Sequence, residues 1–168
     1  MRASRAIIHL DNFRNNVNVI RSFIGNEKKI CVSVKADAYG HGAVQCAKAA
    51  VECGADYLAV ATVDEGLELR KEGISVPILL LSLCIKEEMD SLIENKLTPL
   101  VFGKEYIDEL EKAAERHNTR LCVHLAIDTG MGRIGCLAED AAKTAKRIVS
   151  SNYLSFGGIC THFAVDKN

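Results

Sequence analysis

A chain of 168 residues, 48% hydrophobic and 26% charged, has the size and balance of one globular domain that buries a core without disulfides or metals. Its formal net charge of −1 excludes a nucleic-acid partner, which needs a basic face, so Lys28, Lys29 and Arg116 read as solvated surface. No apolar run approaches the roughly 20 residues that span a bilayer, and the short run that ends at Asp11 is not expected to be a signal peptide.

In chain order, residues 5–10 read as a strand and Asp11 as the N-cap of a helix over 12–23. A regular alternation follows. Strands are predicted at 30–36, 57–62, 76–82, 97–102, 121–128 and 154–164, and helices at 41–53, 63–72, 86–95, 104–117 and 136–151. The strands are continuously apolar, the pattern of parallel strands covered on both faces. Strands alternating with helices predict right-handed βαβ units and a parallel sheet. This is an α/β chain, read as one domain over 1–168. Two architectures suit six such strands: an open doubly wound sheet, or a (β/α)8 TIM-type barrel shortened after about six strands, since a closed barrel needs eight in about 250 residues.

Seven cysteines occur without a Cys-x-x-Cys pair. Cys31, Cys122 and Cys160 fall inside predicted buried strands and read as small apolar core residues in a reducing cytoplasm. Cys160 and His162 share a strand face without a third ligand, so no metal is expected.

Lys35 closes the apolar run Ile30-Cys31-Val32-Ser33-Val34 and leads into Ala36-Asp37-Ala38-Tyr39-Gly40-His41-Gly42. Burial at a strand end would disfavour its charged form and free the amine as a nucleophile, the chemistry by which lysines take up aldehydes. An ordinary strand-end lysine would instead snorkel to solvent. Position decides between them. Lys35 and Tyr39 follow the first strand, residues 128–133 follow the fifth, and His162 closes the sixth. In βα barrels the chemistry gathers at the C-terminal strand ends, so this distribution favours the shortened barrel.

Gly130-Met131-Gly132-Arg133-Ile134-Gly135 matches the Gly-x-Gly-x-x-Gly dinucleotide pattern, but it follows the fifth strand rather than the first, and the next strand ends without a ribose-binding acid. The glycines instead let backbone pass close to a flat ligand while Arg133 supplies a permanent cation. A tight turn whose arginine pairs with Asp128 is the simpler alternative.

Val34-Lys35-Ala36-Asp37-Ala38-Tyr39-Gly40-His41-Gly42 resembles the pyridoxal phosphate attachment motif of the alanine racemases. Asp128-Thr129-Gly130-Met131-Gly132-Arg133-Ile134-Gly135 and Thr161-His162-Phe163-Ala164 resemble two further motifs of that family, in its order and at about its spacing. The resemblance implies a βα barrel followed by a β-rich C-terminal domain, working as a cytoplasmic homodimer on alanine to supply D-alanine for peptidoglycan. It implies pyridoxal 5'-phosphate held covalently by Lys35, which would also act as base on one face of the substrate carbon. Tyr39 would bind the cofactor phosphate, Arg133 would lie against the pyridine nitrogen, His162 would pack beside the ring, and Met131 would sit near the substrate carboxylate with Arg133.

Two departures from the family pattern stand out. Many members carry a carbamylated lysine seven residues before the motif arginine, where this chain has Ala126, so Asp128, an anion or another residue would have to orient Arg133. The last two barrel strands, the second catalytic tyrosine and the C-terminal domain are expected outside this sequence, which alone is expected not to racemise. A racemase of another amino acid such as serine, a fold-related decarboxylase, or a non-catalytic pyridoxal phosphate-binding protein are the competing readings.

Overall fold

His9 opens the first helix. Its carbonyl accepts the amides of Asn12 and Phe13 at 3.1 and 3.3 Å, and α1 runs over Leu10–Ile24. The protein is described by a computed structural model covering residues 5–165, and the chain divides into two compact units, Met1–Ile78 and Leu79–Asn168. Residues 5–9 form no strand, and Asp11, expected as the cap, lies inside the first turn paired with Arg14 at 3.3 Å. The strand expected there has no neighbour to pair with among the described residues.

In the first unit, β1 (Cys31–Ser33) pairs in parallel with β2 (Tyr57–Val60), Cys31 opposite Tyr57 and Ser33 opposite Ala59. Between them come a short segment, α2 (Lys35–Gly40), and the helix α3 (Ala43–Glu52), whose buried Ala43, Ala47, Ala49 and Ala50 leave room for close packing. Helix α4 (Val63–Lys71) follows β2 and starts on a capping box: Thr62 Oγ1 accepts the Glu65 amide, and the Glu65 carboxylate accepts the Thr62 amide. Arg21 near the end of α1 donates to the Gly54 carbonyl at 2.9 Å and to Asp56 Oδ2 at 3.0 Å. The same Asp56 oxygen accepts the Ile30 amide at 2.8 Å, so one ion pair pins α1 to the approaches of both strands.

Strand β3 (Ile78–Leu80) lies at the boundary between the units and is buried throughout. The second unit then holds α5 (Met89–Glu94), β4 (Leu97–Val101), α6 (Lys104–Arg116), β5 (Leu121–Ala126), α7 (Ala141–Val149) and β6 (Leu154–Cys160). Strands β4, β5 and β6 are parallel, and the β5–β6 register slips between Val123 and His124. Gly157 is the extra residue at that bulge. A Cβ there would stand 2.5 Å from Cys122 Sγ and 2.8 Å from the His124 ring, so only glycine fits. Helices α6 and α7 are joined through Arg147, which pairs with Asp108 at 2.8 Å and with Glu111.

The six strands follow chain order, β1-β2-β3-β4-β5-β6. This parallel α/β series agrees with the expected alternation, with strands trimmed at their ends. Continuous burial holds for β3 and β4 but not for β1 or β6, each of which has a neighbour on one side only. Cys31 and Cys122 are exposed and Cys160 is half-buried, so these three are not core residues. In β5 the pattern is physical: Leu121, Val123 and Leu125 are buried while Cys122, on the opposite face, is open. The buried cysteines are Cys46, Cys84 and Cys136. No helix among the described residues is long and apolar enough to cross a membrane.

Candidate active site

Strand β1 ends at Ser33, three residues short of the predicted end at residue 36. Val34 still donates its amide to the Ala59 carbonyl at 2.9 Å and is buried, so the chain is anchored up to that residue. Lys35 then begins α2 and is half-buried rather than enclosed by the strand. The next four residues are left-handed: Ala36, Asp37, Ala38 and Tyr39 have φ of 51, 53, 51 and 55°. For L-residues this conformation costs roughly 1–2 kcal/mol each, and it is ordinarily met singly, not in runs. Such strain persists where surrounding contacts over-determine it, and it collects at functional sites.

Those contacts are specific. Ala38 donates its amide to the Val34 carbonyl at 2.9 Å, and Gly42 donates to the Asp37 carbonyl at 2.9 Å. Asp37 Oδ1 accepts the Ala43 amide at 2.7 Å and so caps α3, which has a glycine at its N-cap and no other side chain to serve it. Glu65 Oε1 accepts the Ala36 amide at 2.8 Å. His41 Nδ1 stands 2.8 Å from the Ala38 carbonyl and closes the turn from its far end. Tyr39 is exposed, with its hydroxyl 3.4 Å from Ser33 Oγ. The structure therefore brings Lys35 and Tyr39 together on one strained turn.

In the second unit, residues 128–135 leave β5 as a loop whose ends are tied. Asp128 donates its amide to the Cys136 carbonyl at 2.9 Å, and Cys136 donates to the Ala126 carbonyl at 3.0 Å. Asp128 Oδ1 accepts the amides of Gly130 and Gly132 at 2.8 and 3.1 Å. These backbone bonds, that from Gly132 foremost, hold the Asp128 carboxyl below its ordinary range. Gly135 has φ +121°, and a Cβ there would meet the Asp128 amide nitrogen at 2.4 Å. The loop closes on itself before a short 3-10 turn and α7, so the glycines do not lead directly into a helix as in a dinucleotide site.

Met131 and Arg133 are exposed on this loop, and Ala126 is buried beneath its start. Asp128 serves the loop amides, and the pairing with Arg133 offered as the simpler alternative is absent among the described residues. His162 lies two residues beyond the end of β6 rather than within it, and is exposed. Thr129 and Thr161, with hydroxyl oxygens 2.7 Å apart, bring the glycine loop and the His162 segment side by side.

Lys35, Arg133 and His162 have no hydrogen-bond or ion-pair partner among the described residues, whereas Arg14, Arg21, Lys48, Lys104, Arg116 and Arg147 are all engaged with carboxylates. In the first unit Lys35 offers an amine able to condense with an aldehyde, and in the second unit, taken by itself, Arg133 offers a guanidinium able to meet an anion. Asp37 and Glu65 were not singled out in the sequence. The Thr62-Val63-Asp64-Glu65 spacing was the available signal for Glu65.

A parallel βα series with a lysine after the first strand and glycine–arginine and histidine segments after the fifth and sixth defines an α/β barrel-type enzyme domain. The chain belongs to the alanine racemase N-terminal domain family. The profile described as "Alanine racemase, N-terminal domain" matches residues 8–168. An alanine racemase of Treponema denticola is 49% identical over 168 residues, covering 100% of this chain and 44% of that protein. That of Treponema pallidum is 40% identical, covering 98% and 44%. Among solved structures, alanine racemase of Clostridium difficile 630 in complex with cycloserine superposes with a TM-score of 0.91 at 41% identity, over 94% of this chain and 44% of that one. The Bacillus anthracis enzyme with bound L-Ala-P gives a TM-score of 0.85 at 39% identity, over 94% and 41%. The chain thus spans less than half the length of these relatives.

Proposed function

We propose that the intact protein is a pyridoxal 5'-phosphate-dependent alanine racemase and that residues 1–168 supply its cofactor lysine. The observation that carries this reading is Lys35 itself, an unpaired amine at the head of a left-handed turn, in a chain of this family. When bound, the cofactor supplies a sink for the charge left on the substrate α-carbon.

The chain's own residues would do the rest. Lys35 Nζ would bind the cofactor and carry the proton on one face of the α-carbon. Tyr39 would donate its hydroxyl to the phosphate. Arg133 would set a fixed positive charge beside the ring nitrogen and discourage its protonation, and His162 would pack against the ring. Met131, through its backbone amide, and Arg133 would orient the substrate carboxylate. Racemisation requires a proton carrier on each face; a tyrosine from a partner subunit, outside residues 1–168, would serve the second. On this reading the enzyme works as a homodimer in the cytoplasm and supplies D-alanine for peptidoglycan, and residues 1–168 alone do not racemise.

The test is D-alanine formation from L-alanine by the intact protein incubated with cofactor, read by chiral chromatography, with L-serine as a parallel substrate. Lys35→Ala should lower the rate by about 10³-fold, the scale of a lost general base. Conversion of serine in preference to alanine would move the assignment to another racemase. No conversion of either, or an undiminished rate in Lys35→Ala, would overturn it.

A further inference from the structure

We infer that Glu65 is a positioning residue for Lys35, holding its peptide so that the amine is presented at the head of the left-handed turn. The inference rests on the reading that Lys35 binds the cofactor. The Glu65 carboxylate has two separate duties. Oε2 accepts the amides of Ala61 and Thr62 at 2.7 and 3.3 Å, which completes the cap of α4. Oε1 accepts the Ala36 amide at 2.8 Å, a bond that capping does not require. That amide belongs to the peptide unit joining Lys35 to Ala36.

The first amides of a helical turn have no acceptor inside it. In α2 the internal bonds start with Ala38, which donates to Val34, so Ala36 depends on Glu65. Without that acceptor the Lys35–Ala36 peptide would turn toward water, and the right-handed basin favoured by L-residues would reopen at Ala36. The two peptides flanking Lys35 set the direction of its Cα–Cβ bond. The Val34–Lys35 peptide is held through the Val34 carbonyl, which accepts the Ala38 amide at 2.9 Å, so Glu65 controls the remaining side. Glu65 thus links the exit of β2, the start of α4 and the lysine turn through one side chain.

The experiment compares the intact protein with Glu65→Ala, Glu65→Gln and Thr62→Ala. Thr62→Ala removes the other half of the capping box and leaves the Ala36 contact untouched. Each protein is mixed with pyridoxal 5'-phosphate. Condensation at Lys35, which forms the C=N bond and releases one water, is followed by absorbance and located by borohydride reduction and peptide mapping. Amide hydrogen exchange over residues 34–42 is measured without cofactor.

Thr62→Ala should match the parent in condensation rate within about twofold. Glu65→Ala should be slower by about tenfold or more, the scale of one lost hydrogen bond to a charged group, with exchange at 34–42 raised to a similar degree. Glu65→Gln, which keeps a carbonyl acceptor for Ala36, should lie between. If Glu65→Ala behaves like Thr62→Ala in both measurements, Glu65 is only a cap and the inference is overturned. If Glu65→Ala does not fold, Glu65→Gln decides, and parent values in both measurements overturn the inference. Absence of a Lys35 adduct in the parent overturns the cofactor reading instead, and the exchange comparison alone then decides whether Glu65 holds the turn.

Discussion

Thr129 and Thr161 face each other with their hydroxyl oxygens 2.7 Å apart, tying the loop of Met131 and Arg133 to the segment of His162. Both are exposed, and the bond joins two stretches of irregular chain that share no strand pairing at that point. Thr161→Val keeps the shape and removes the hydroxyl. It should cost about 0.5–1.5 kcal/mol, the net worth of one such bond, measured by urea unfolding of the intact protein. Amide exchange should rise in residues 129–134 and leave β4 unchanged.

Acid should loosen the same loop. The Asp128 carboxyl is held below its ordinary value of 3.8 by the amides of Gly132 and Gly130. A folded-state pKa below the unfolded one means stabilisation that is fully present above the unfolded value and lost as pH falls through the folded one. The Gly130 and Gly132 amide resonances should therefore move together below about pH 4 and stay flat through neutrality. Asp128→Asn should abolish that acid step.

Two glycines of the loop should differ sharply on substitution. Gly130→Ala adds a Cβ with nothing within 4 Å and meets only a φ of +120°, a backbone strain of about 1–2 kcal/mol. Gly135→Ala adds the same strain and a contact at 2.4 Å with the Asp128 backbone, which cannot move without breaking its bond to Cys136. Its cost should be roughly 3 kcal/mol or more. Paired thermal melts of the two variants check the order.

Ser151 is buried at the approach to β6, where its hydroxyl donates to Glu111 and accepts the amides of Tyr153 and Leu154 at 3.1 and 3.0 Å. Ser151→Ala leaves those amides without an acceptor and should cost about 1–3 kcal/mol. A fall in the urea midpoint at constant m-value would report stability alone. The Glu111 carboxyl, held low by Arg147 first and Ser151 after it, should titrate closer to its ordinary value of 4.5 in this variant.

The alternation of strands and helices was legible because β3 and β4 are buried throughout and, apart from Thr98 in β4, carry no polar side chain. It misled at Cys31, Cys122 and Cys160, where a run of small apolar residues conceals an open face. The strand read into residues 5–10 failed for a different reason: a strand is defined by a neighbour, which apolar residues alone do not announce. Lys35 was legible as a chemical position, but the turn that carries it was not. Ala36 and Ala38 favour right-handed helix, and nothing local in Lys-Ala-Asp-Ala-Tyr signals the opposite hand. The hand is held by the Val34 carbonyl, by the Asp37 cap on α3 and by Glu65, and of these Glu65 lies far along the chain, where no local pattern announces it.

That reversed hand has a consequence for chirality itself. At Ala36 the backbone sits at φ 51° and ψ 51°, where a mirror-image residue is at ease and an L-residue is not. Ala36 is exposed, so a D-alanine built in at this one position by chemical ligation would meet little obstruction from the interior. The segment that presents Lys35 is thus better suited to the opposite enantiomer of its own alanine than to the one it carries.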